Sequence, residues 1–313
     1  MKKLLDNLLY GVVYIVFYAI SLLPFRVLYA LSDALYLIIY GIVGYRRQVV
    51  RGNIASSFPE KSDEERLKIE RGFYHWFCDY FVETIKLLSI TPETMRRHME
   101  FRNVEELEQC FDNGQSCAAI LGHYCNWEWL SATGTAFSRH PEAVAGLIYH
   151  PLYNKAFDSL FIALRSHLGG VCIPKKDILR YLVKYRNEKR PSLFGYISDQ
   201  TPKWENIHLW LDFLGHDTPV FTGGERIMRK MDNAVFYADM RRVKRGYYTC
   251  TFRLITKSPK TLPEFEITKI FFGMLGQAVR QNPECYLWTH KRWKRTHEEY
   301  DRRVASGEIR QKP

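Results

Sequence analysis

Short apolar runs alternate with helix-forming patterns over residues 116–255, and this alternation constrains the fold more than any other feature. The runs typical of strands are "SCAAILGH", "EAVAGLIY", "GVCIP", "PSLFGYISD", "NAVFYADMRRV" and "YYTCTFRLI". The helical patterns between them are "NWEWLSATGTAF", "NKAFDSLFIALRSHLGG", "DILRYLVKYRNE" and "TGGERIMRKM". Such alternation predicts an α/β fold with a mainly parallel central sheet flanked by helices on both faces.

The N-terminus is apolar and aromatic. Residues 8–23 carry no charge, and a second apolar stretch, residues 27–44, is interrupted by Asp33. The first stretch is slightly shorter than the roughly 20 residues that cross a bilayer core. A tilted span, a shallow hairpin and a monotopic anchor stay open, as do a buried helix pair and a cleaved signal peptide. We predict an N-terminal hydrophobic membrane anchor of one helix or a helix pair in residues 1–47, followed by the main domain in residues 48–313.

The charge balance indicates an anionic partner. Lys and Arg number 45 against 34 Asp and Glu, a net charge of +11. A protein so basic is drawn to nucleic acid, an anionic membrane face or an acidic carrier or substrate. Lys2, Lys3, Arg46, Arg47 and Arg51 flank the apolar stretches on both sides, which favours a main domain on the cytoplasmic side of a membrane. The seven cysteines form no CxxC pair, which indicates reduced thiols in a cytosol-like compartment.

Several helix boundaries are signalled locally. Ser62 with Glu65 three residues later predicts a capping box, and Thr91 before Pro92 predicts another helix start. Near the C-terminus, the pattern from residue 267 predicts a helix that ends near residues 282–283 and is followed by a basic aromatic tail.

The stretch "GHYCNWEWL", residues 122–130, holds the strongest candidates for chemistry. On one regular helix, His123 and Glu128 would point about 140° apart and would not meet. At a strand–loop–helix junction, His123 ends the strand and Glu128 enters the first helical turn, with Asn126 as cap. We therefore predict that the Glu128 carboxylate folds back onto the imidazole and holds its tautomer, which leaves the other ring nitrogen as a general base.

Other interpretations of the same stretch stay open from the residues alone. His123 alone is also typical of a satisfied core histidine. A zinc site needs a third ligand, which no HExxH or Cys/His spacing supplies, so no metal is predicted. Cys125 is a further alternative, as a nucleophile paired with His123.

The stretch resembles the H-x4-D/E signature of the lysophospholipid acyltransferase superfamily, in the form found in the lipid A late acyltransferases of Gram-negative bacteria. Further stretches are similar to that family in the same order, namely "VVRGNIASSFPEKSDEER", "IYHPLYNKAFDSLFIALRSHLGG", "GYISDQ" and "PECYLWTHKRWKR". The resemblance therefore covers nearly the whole chain. Cys125 stands where the family usually has glycine, and Cys285 where it usually has glutamine.

The resemblance implies that an acyl chain moves from an acyl carrier protein thioester to a hydroxyl of a lipid A precursor at the cytoplasmic face of the inner membrane. In this reaction His123 is the general base, Glu128 is its partner, and no metal or organic cofactor is needed. The alternatives are acylation of another membrane lipid or glycolipid, and a non-enzymatic membrane-bound protein that binds lipid or nucleic acid. Nucleic acid is not expected as a partner, because such a protein has no need of the uncharged N-terminus.

The resemblance also implies roles outside the motif. Arg165 matches a family arginine and is expected to stabilise the oxyanion or hold a phosphate, the alternative being a surface helix arginine. Asp199 and Gln200 match an Asp-Gln pair that orders the site or shapes a turn. The basic run at residues 290–295 is expected to clamp lipid A phosphates or the acidic carrier through Lys291, Arg292 and Lys294, with a nucleic-acid contact and a solvated tail as alternatives.

Overall fold

The computed structural model describes residues 2–310, and residues 9–310 for side-chain burial and contacts. In that part of the chain the α-helices are α1 (Lys2–Ser21), α2 (Phe25–Tyr36), α3 (Arg47–Ser57), α4 (Asp63–Lys86), α5 (Pro92–His98), α6 (Val104–Asp112), α7 (Lys155–Ser166), α8 (Ile178–Asn187), α9 (Gly223–Met231), α10 (Glu266–Gln281) and α11 (His297–Ala305). The strands are β1 (Met99–Arg102), β2 (Cys117–Leu121), β3 (Val144–Tyr149), β4 (Val171–Pro174), β5 (Ser192–Ile197), β6 (Trp210–Phe213), β7 (His216–Pro219), β8 (Ala234–Lys244) and β9 (Tyr247–Thr256).

The central sheet of residues 2–310 has seven strands in the order β1-β9-β8-β2-β5-β3-β4. Neighbouring strands are parallel except for the antiparallel pair β8–β9. A separate antiparallel hairpin is formed by β6 and β7. Every residue of β2 is buried, as expected for a strand covered on both faces. The predicted mainly parallel α/β fold is confirmed.

The carboxyl ends of β2, β3 and β5 meet at one edge of the sheet, because these strands are parallel. Open α/β sheets bind their ligands at this edge. The fold therefore gathers the loops that follow these strands, including residues 122–126 and 198–203, in one place.

The N-terminal helices pack along the main domain through polar contacts. Ser32 Oγ donates to Asp79 of α4 at 2.7 Å, and the Tyr29 hydroxyl donates to Glu83 of α4 at 3.0 Å. Arg245, between β8 and β9, pairs with Asp33 of α2 at 2.6 Å. These contacts fix one face of α2 against α4. The side chains of Lys2 and Lys3, which entered the prediction of orientation, lie outside the described residues.

The opposite faces of the N-terminal helices are apolar and exposed. A π-helical segment, Leu37–Val43, continues α2, and Phe25–Val43 is the one helix of the described residues that is long and apolar enough to cross a membrane. Many of the exposed apolar side chains are three or four residues apart, as in 9, 12 and 16 or 27 and 31, which puts these on one side of their helix. They are Leu9, Val12, Ile15, Val16 and Leu22, followed by Val27, Leu31, Leu37, Ile38 and Ile42.

The local helix signals are confirmed. Ser62 Oγ accepts from the backbone N–H of Glu65 at 3.2 Å, and the Glu65 carboxylate accepts from the backbone N–H of Ser62 at 2.8 Å. Thr91 Oγ1 accepts from the backbone N–H of Thr94 at 3.1 Å, and α10 ends at Gln281.

The segment after the motif is a 3₁₀ helix, Trp127–Ala136, where the pattern predicts an α-helix. Ser131 Oγ donates to the carbonyl of Glu128 at 2.7 Å, and Thr133 Oγ1 donates to that of Leu130 at 2.7 Å. Hydroxyls that bond back to the carbonyl three residues earlier compete with the α-helical ladder, and 3₁₀ winding follows the same spacing.

Other elements carry no clear signal in the sequence. They are α3, α6, β1, the β6–β7 hairpin and α11, which begins within the predicted basic tail. Strand β1 has four residues and directly follows α5, so its length is too short to establish an alternation. The long-range pairing with β9 defines it.

Candidate active site

His123 lies just beyond the end of β2, and Asp199 lies just beyond the end of β5. The register of this parallel pair aligns Leu121 with Ile197, so residues two positions further along become neighbours. His123 Nδ1 lies 2.6 Å from Asp199 Oδ1, and the backbone N–H of His123 donates to Asp199 Oδ2 at 2.9 Å. The carboxylate that contacts the imidazole is therefore that of Asp199.

The Asp199 carboxyl is buried and ionised. Burial alone would raise its pKa, but the charge of His123, hydrogen bonds from the ring and backbone of His123, and the charge of Arg292 together lower it. An ionised Asp199 accepts the proton on Nδ1, and this contact leaves the lone pair of the neutral imidazole on Nε2.

The Nε2 side of the imidazole faces a cleft of about 680 Å³. Gln200 Nε2 lies 3.2 Å from His123 Nε2, so the amide donates to the ring lone pair. The Trp127 ring meets the imidazole edge-on, with centroids 5.0 Å apart and planes at 75°. The ring is thus held from several sides while its side chain stays 18% exposed. A base so placed is reachable from the cleft.

Glu128 is engaged elsewhere. Arg165 Nε lies 2.7 Å from Glu128 Oε2, and Arg165 Nη2 lies 2.7 Å from Oε1. The Tyr80 hydroxyl donates to Oε1 at 3.4 Å. Within residues 9–310 no hydrogen bond joins Glu128 to His123, so the predicted contact is not formed. The 3₁₀ turn after Asn126 places Trp127 next to the imidazole and directs Glu128 toward α7, which is the physical reason for the difference.

The Glu128–Arg165 pair lines the cleft and also a second, smaller cavity. Burial alone would lower the pKa of Arg165, but the charge and hydrogen bonds of Glu128 outweigh burial and raise it. This inner cavity, of about 70 Å³, is lined mainly by small and aliphatic side chains of β2, β3 and β5. Arg165 therefore borders both the cleft and an apolar space.

Asn126 forms the expected cap and makes an unexpected second contact. Its Oδ1 accepts from the backbone N–H of Trp129 at 3.3 Å, and its Nδ2 donates to Glu83 of α4 at 2.7 Å. Glu83 also accepts from the hydroxyls of Tyr29 and Tyr248, at 3.0 and 2.9 Å. The turn of the motif is thereby tied to α4 and α2. No local pattern marks Glu83, because it lies within an otherwise ordinary helix.

The backbone of the motif explains two glycine preferences. A Cβ on Gly122 would lie 2.8 Å from Leu275 Cδ2 and 3.3 Å from Asp199 Oδ2, so a side chain there would crowd the carboxylate. Cys125 has φ of +51°, a left-handed conformation that glycine adopts without strain. The usual glycine of the similar family therefore suits this position, and the cysteine here carries backbone strain.

The Cys125 thiol is unsuited to nucleophilic attack. Burial raises its pKa well above the ordinary value, and the neighbouring Cys285 adds to the effect. A nucleophilic cysteine needs an accessible thiolate with a lowered pKa. Cys125 instead contributes buried volume beneath the motif.

The basic run at residues 290–295 differs from the expected surface clamp. Arg292 is 1% exposed, and its Nη2 donates to the carbonyl of Pro219 at 2.9 Å, so its guanidinium supports the fold. Lys291 and Lys294 are exposed. None of the three lines the cleft that the described residues form around His123. The prediction for Arg292 fails because charge density in a sequence does not show which side chains turn inward.

Sequence reasoning missed other residues of the cleft. Tyr80 contacts Glu128, and Lys175 also lines the cleft. Tyr196 also lines it, is 5% exposed, and has a hydroxyl without a hydrogen-bond partner among the residues described. The block "GYISDQ" contains Tyr196, but the resemblance drew attention to Asp199 and Gln200 alone.

Residues 1–295 match the family model described as bacterial lipid A biosynthesis acyltransferase. None of the curated proteins compared with the chain matches it. The family match covers the N-terminal helices, His123, Glu128, Arg165, Asp199, Gln200 and the basic run. The chain belongs to the bacterial lipid A biosynthesis acyltransferase family.

Proposed function

We propose that the protein transfers a fatty acyl chain from an acyl carrier protein thioester to a hydroxyl of a lipid A precursor, with His123 as general base. The observation that carries this proposal is the 2.6 Å contact between His123 Nδ1 and Asp199 Oδ1, with Nε2 left toward the cleft. A carboxylate on one ring nitrogen and a substrate hydroxyl on the other is the arrangement that general-base catalysis requires.

In this mechanism Nε2 takes the proton of the acceptor hydroxyl as its oxygen attacks the thioester carbonyl. Asp199 stabilises the imidazolium that forms. The tetrahedral intermediate then expels the thiolate, which takes the proton from Nε2, so that an ester and a free thiol leave the site. The Gln200 amide occupies Nε2 in the free protein at 3.2 Å, and the acceptor hydroxyl displaces it on binding.

Arg165 is proposed as the donor to the oxyanion. Its Nε and Nη2 are held by Glu128, which leaves Nη1 as the donor for the oxyanion, and Arg165 lines the cleft. Preorganised donors of this kind contribute on the order of 100- to 1,000-fold in rate. Glu128 then acts by positioning Arg165 rather than by contacting His123.

The donor acyl chain is proposed to lie along the apolar wall behind this pair. The inner cavity shares Trp127, Glu128 and Arg165 with the cleft, and the cavity continues over Ala119, Ala145 and Gly195. The inner cavity, about 70 Å³, takes only a few methylene groups, so most of the chain would lie in the cleft of about 680 Å³. The thioester carbonyl would then stop beside His123.

His123→Ala tests the proposed function. We expect acyl transfer to a lipid A precursor, followed by mass spectrometry, to fall to background while the circular dichroism spectrum stays unchanged. His150→Ala is the matched control, because His150 lines the same cleft and bonds only locally, to the carbonyl of Pro151 at 3.0 Å. Normal transfer by the His123 variant would remove the imidazole from the mechanism.

The N-terminal helices are proposed to rest on the cytoplasmic face of the inner membrane. Their exposed apolar faces suit insertion into the acyl boundary of one leaflet. Ser32, Asp33 and Tyr29 hold the other face of α2 on the main domain, which favours a monotopic arrangement over a span. The net charge of +11 adds attraction to anionic lipids.

Val27→Glu tests the membrane proposal. Val27 is 43% exposed on the apolar face of α2, and Val304 of α11 is 46% exposed. The same substitution at both positions separates the helix face from a general effect of charge. We expect co-sedimentation with vesicles of phosphatidylethanolamine and phosphatidylglycerol to drop several-fold for Val27→Glu alone. Equal binding by both variants would contradict the proposed surface.

A further inference from the structure

The N-terminus of α9 lines the same cleft as Arg165. Phe221, Gly223, Gly224 and Ile227 line this part, and the side chain of the N-cap residue Thr222 makes no capping hydrogen bond within residues 9–310. The first N–H groups of a helix have no partner inside the helix. Because residues 223 and 224 are glycines, no side chain of theirs covers these N–H groups.

Tyr196 supplies an independent sign of a ligand at the same place. Tyr196 is only 5% exposed, and its hydroxyl has no hydrogen-bond partner among residues 9–310. A Cβ on Gly224 would lie 3.3 Å from Tyr196 Cδ1, so the ring lies against the start of α9. Burial raises the pKa of the Tyr196 hydroxyl, which therefore stays protonated and can donate. Buried polar groups normally have a partner, and Tyr196 is one of the residues that line the cleft.

Lys175 brings a positive charge to the cleft, whereas the carboxylate of Asp158, which also lines it, accepts from the backbone N–H of Leu152 at 2.7 Å. Lys175 lines the cleft, with Nζ 5.1 Å from the ring centroid of Phe221. Glu225 of the same helical turn is directed away, since its Oε2 accepts from the backbone and hydroxyl of Thr268 in α10. Helix N–H groups, an ammonium and a phenol are all donors, and this set matches a phosphate oxygen cluster.

We propose that the start of α9, Tyr196 and Lys175 form a binding site for a substrate phosphate ester. The site shares one cleft with His123, Glu128 and Arg165. This inference rests on the proposed function for the identity of the substrates. The phosphate belongs either to the glycolipid acceptor or to the pantetheine arm of the acyl donor.

Three variants test the site. Tyr196→Phe removes one hydroxyl that has no partner in the described residues, so we expect an unchanged melting temperature. Lys175→Ala removes the cation, and Lys176→Ala is the matched control, because Lys176 is equally exposed and does not line the cleft formed by residues 9–310. Each full-length variant is titrated with glucosamine 1-phosphate and 4′-phosphopantetheine, and with glucosamine and pantetheine, by calorimetry.

We expect one phosphorylated probe to bind the wild type more tightly than its dephosphorylated counterpart. Tyr196→Phe and Lys175→Ala should each weaken that probe about tenfold, in line with the loss of one hydrogen bond to a charged group, and Lys176→Ala should leave it unchanged. Steady-state kinetics then identify the source. A rise in KM for the acceptor alone assigns the phosphate to the glycolipid, and a rise for the donor alone assigns it to the pantetheine arm.

Equal affinities for phosphorylated and dephosphorylated probes in the wild type overturn the site, as do unchanged affinities in both variants. The binding arm is independent of acyl transfer. Phosphate-dependent binding by a wild type that transfers no acyl chain would keep the site and remove the proposed function. Acyl transfer that depends on His123, without phosphate-dependent binding, would keep the proposed function and remove the phosphate site.

Discussion

Two buried carboxylates of the site, Asp199 and Glu128, have different partners. Asp199 contacts the imidazole at 2.6 Å, whereas Glu128 holds the guanidinium of Arg165 through contacts of 2.7 Å. Asp199 is distant in sequence and adjacent in the sheet; Glu128 is five residues away and turned aside. Glu128, which is close to His123 in the chain, therefore does not contact the imidazole. Asp199, which follows the neighbouring strand β5, makes that contact.

The difference teaches how a parallel sheet assembles a site. Residues past the ends of β2 and β5 meet because the register pairs Leu121 with Ile197, whatever the loop after β2 does. Glu128 depends instead on the winding of that loop. A contact set by strand register is thus more robust than one set by a short irregular turn.

The substitution Asp199→Asn tests most directly whether the contact between Asp199 and His123 supports catalysis. The amide cannot accept and hold the Nδ1 proton as a carboxylate does, and the imidazole loses both its tautomer and its counter-charge. We expect kcat to fall on the order of 1,000-fold, measured by transfer to a lipid A precursor, with a modest change in melting temperature. A variant that retains a tenth or more of wild-type kcat would show that Asp199 is structural.

Glu128→Gln should change stability more than chemistry. It leaves the Arg165 guanidinium, 20% exposed, without its ion partner, and breaking a buried pair from one side costs about 3 kcal/mol. We expect that loss in urea unfolding, together with a fall in kcat smaller than that of Asp199→Asn. The double variant Glu128→Gln/Arg165→Met should recover part of the stability, because the unpaired charge is gone.

A different outcome would reverse the assignment of roles. If Glu128→Gln lowered kcat as far as Asp199→Asn while the free energy of unfolding stayed unchanged, Glu128 would act on the reaction directly. The 3₁₀ segment Trp127–Ala136 would then have to move on substrate binding.

Local sequence signals predicted the sheet, the helix caps and the position of His123. Apolar runs such as "CAAIL" give strands because burial on both faces demands them, and the Ser62–Glu65 pattern gives a cap through contacts within four residues. The partner of His123 was not predicted, because the strand order that joins β2 to β5 is a long-range property. Arg292 was expected at the surface and is buried. The reason is the same, since basic residues that turn inward and those that turn outward look alike in a sequence.

Glu83 extends the comparison to a carboxyl with only neutral donors as hydrogen-bond partners among residues 9–310. Burial first, and then the charge of Asp79, raise its pKa to about 7, although the hydrogen bonds from Tyr248, Asn126 and Tyr29 act in the opposite direction. Glu128 is paired with the guanidinium of Arg165, and the pKa of Asp199 is lowered by His123 and the charge of Arg292, whereas Glu83 titrates near neutral pH. Its protonation thus affects the contact between α2 and the turn of the motif.

The sign of the resulting pH dependence follows from the raised pKa. Between about pH 4.5 and about pH 7 the folded protein holds a proton on Glu83 that the unfolded chain has lost, so the free energy of unfolding falls as pH rises through this window and then levels off. The contribution is at most about 1.4 kcal/mol per pH unit. We expect Glu83→Gln to remove this slope in urea unfolding at pH 5, 6, 7 and 8, whereas Glu100→Gln on the exposed strand β1 keeps it. Parallel curves for Glu83→Gln and the wild type would mean that Glu83 is ionised throughout, and that the tyrosines and Asn126 satisfy it as fully as Arg165 satisfies Glu128.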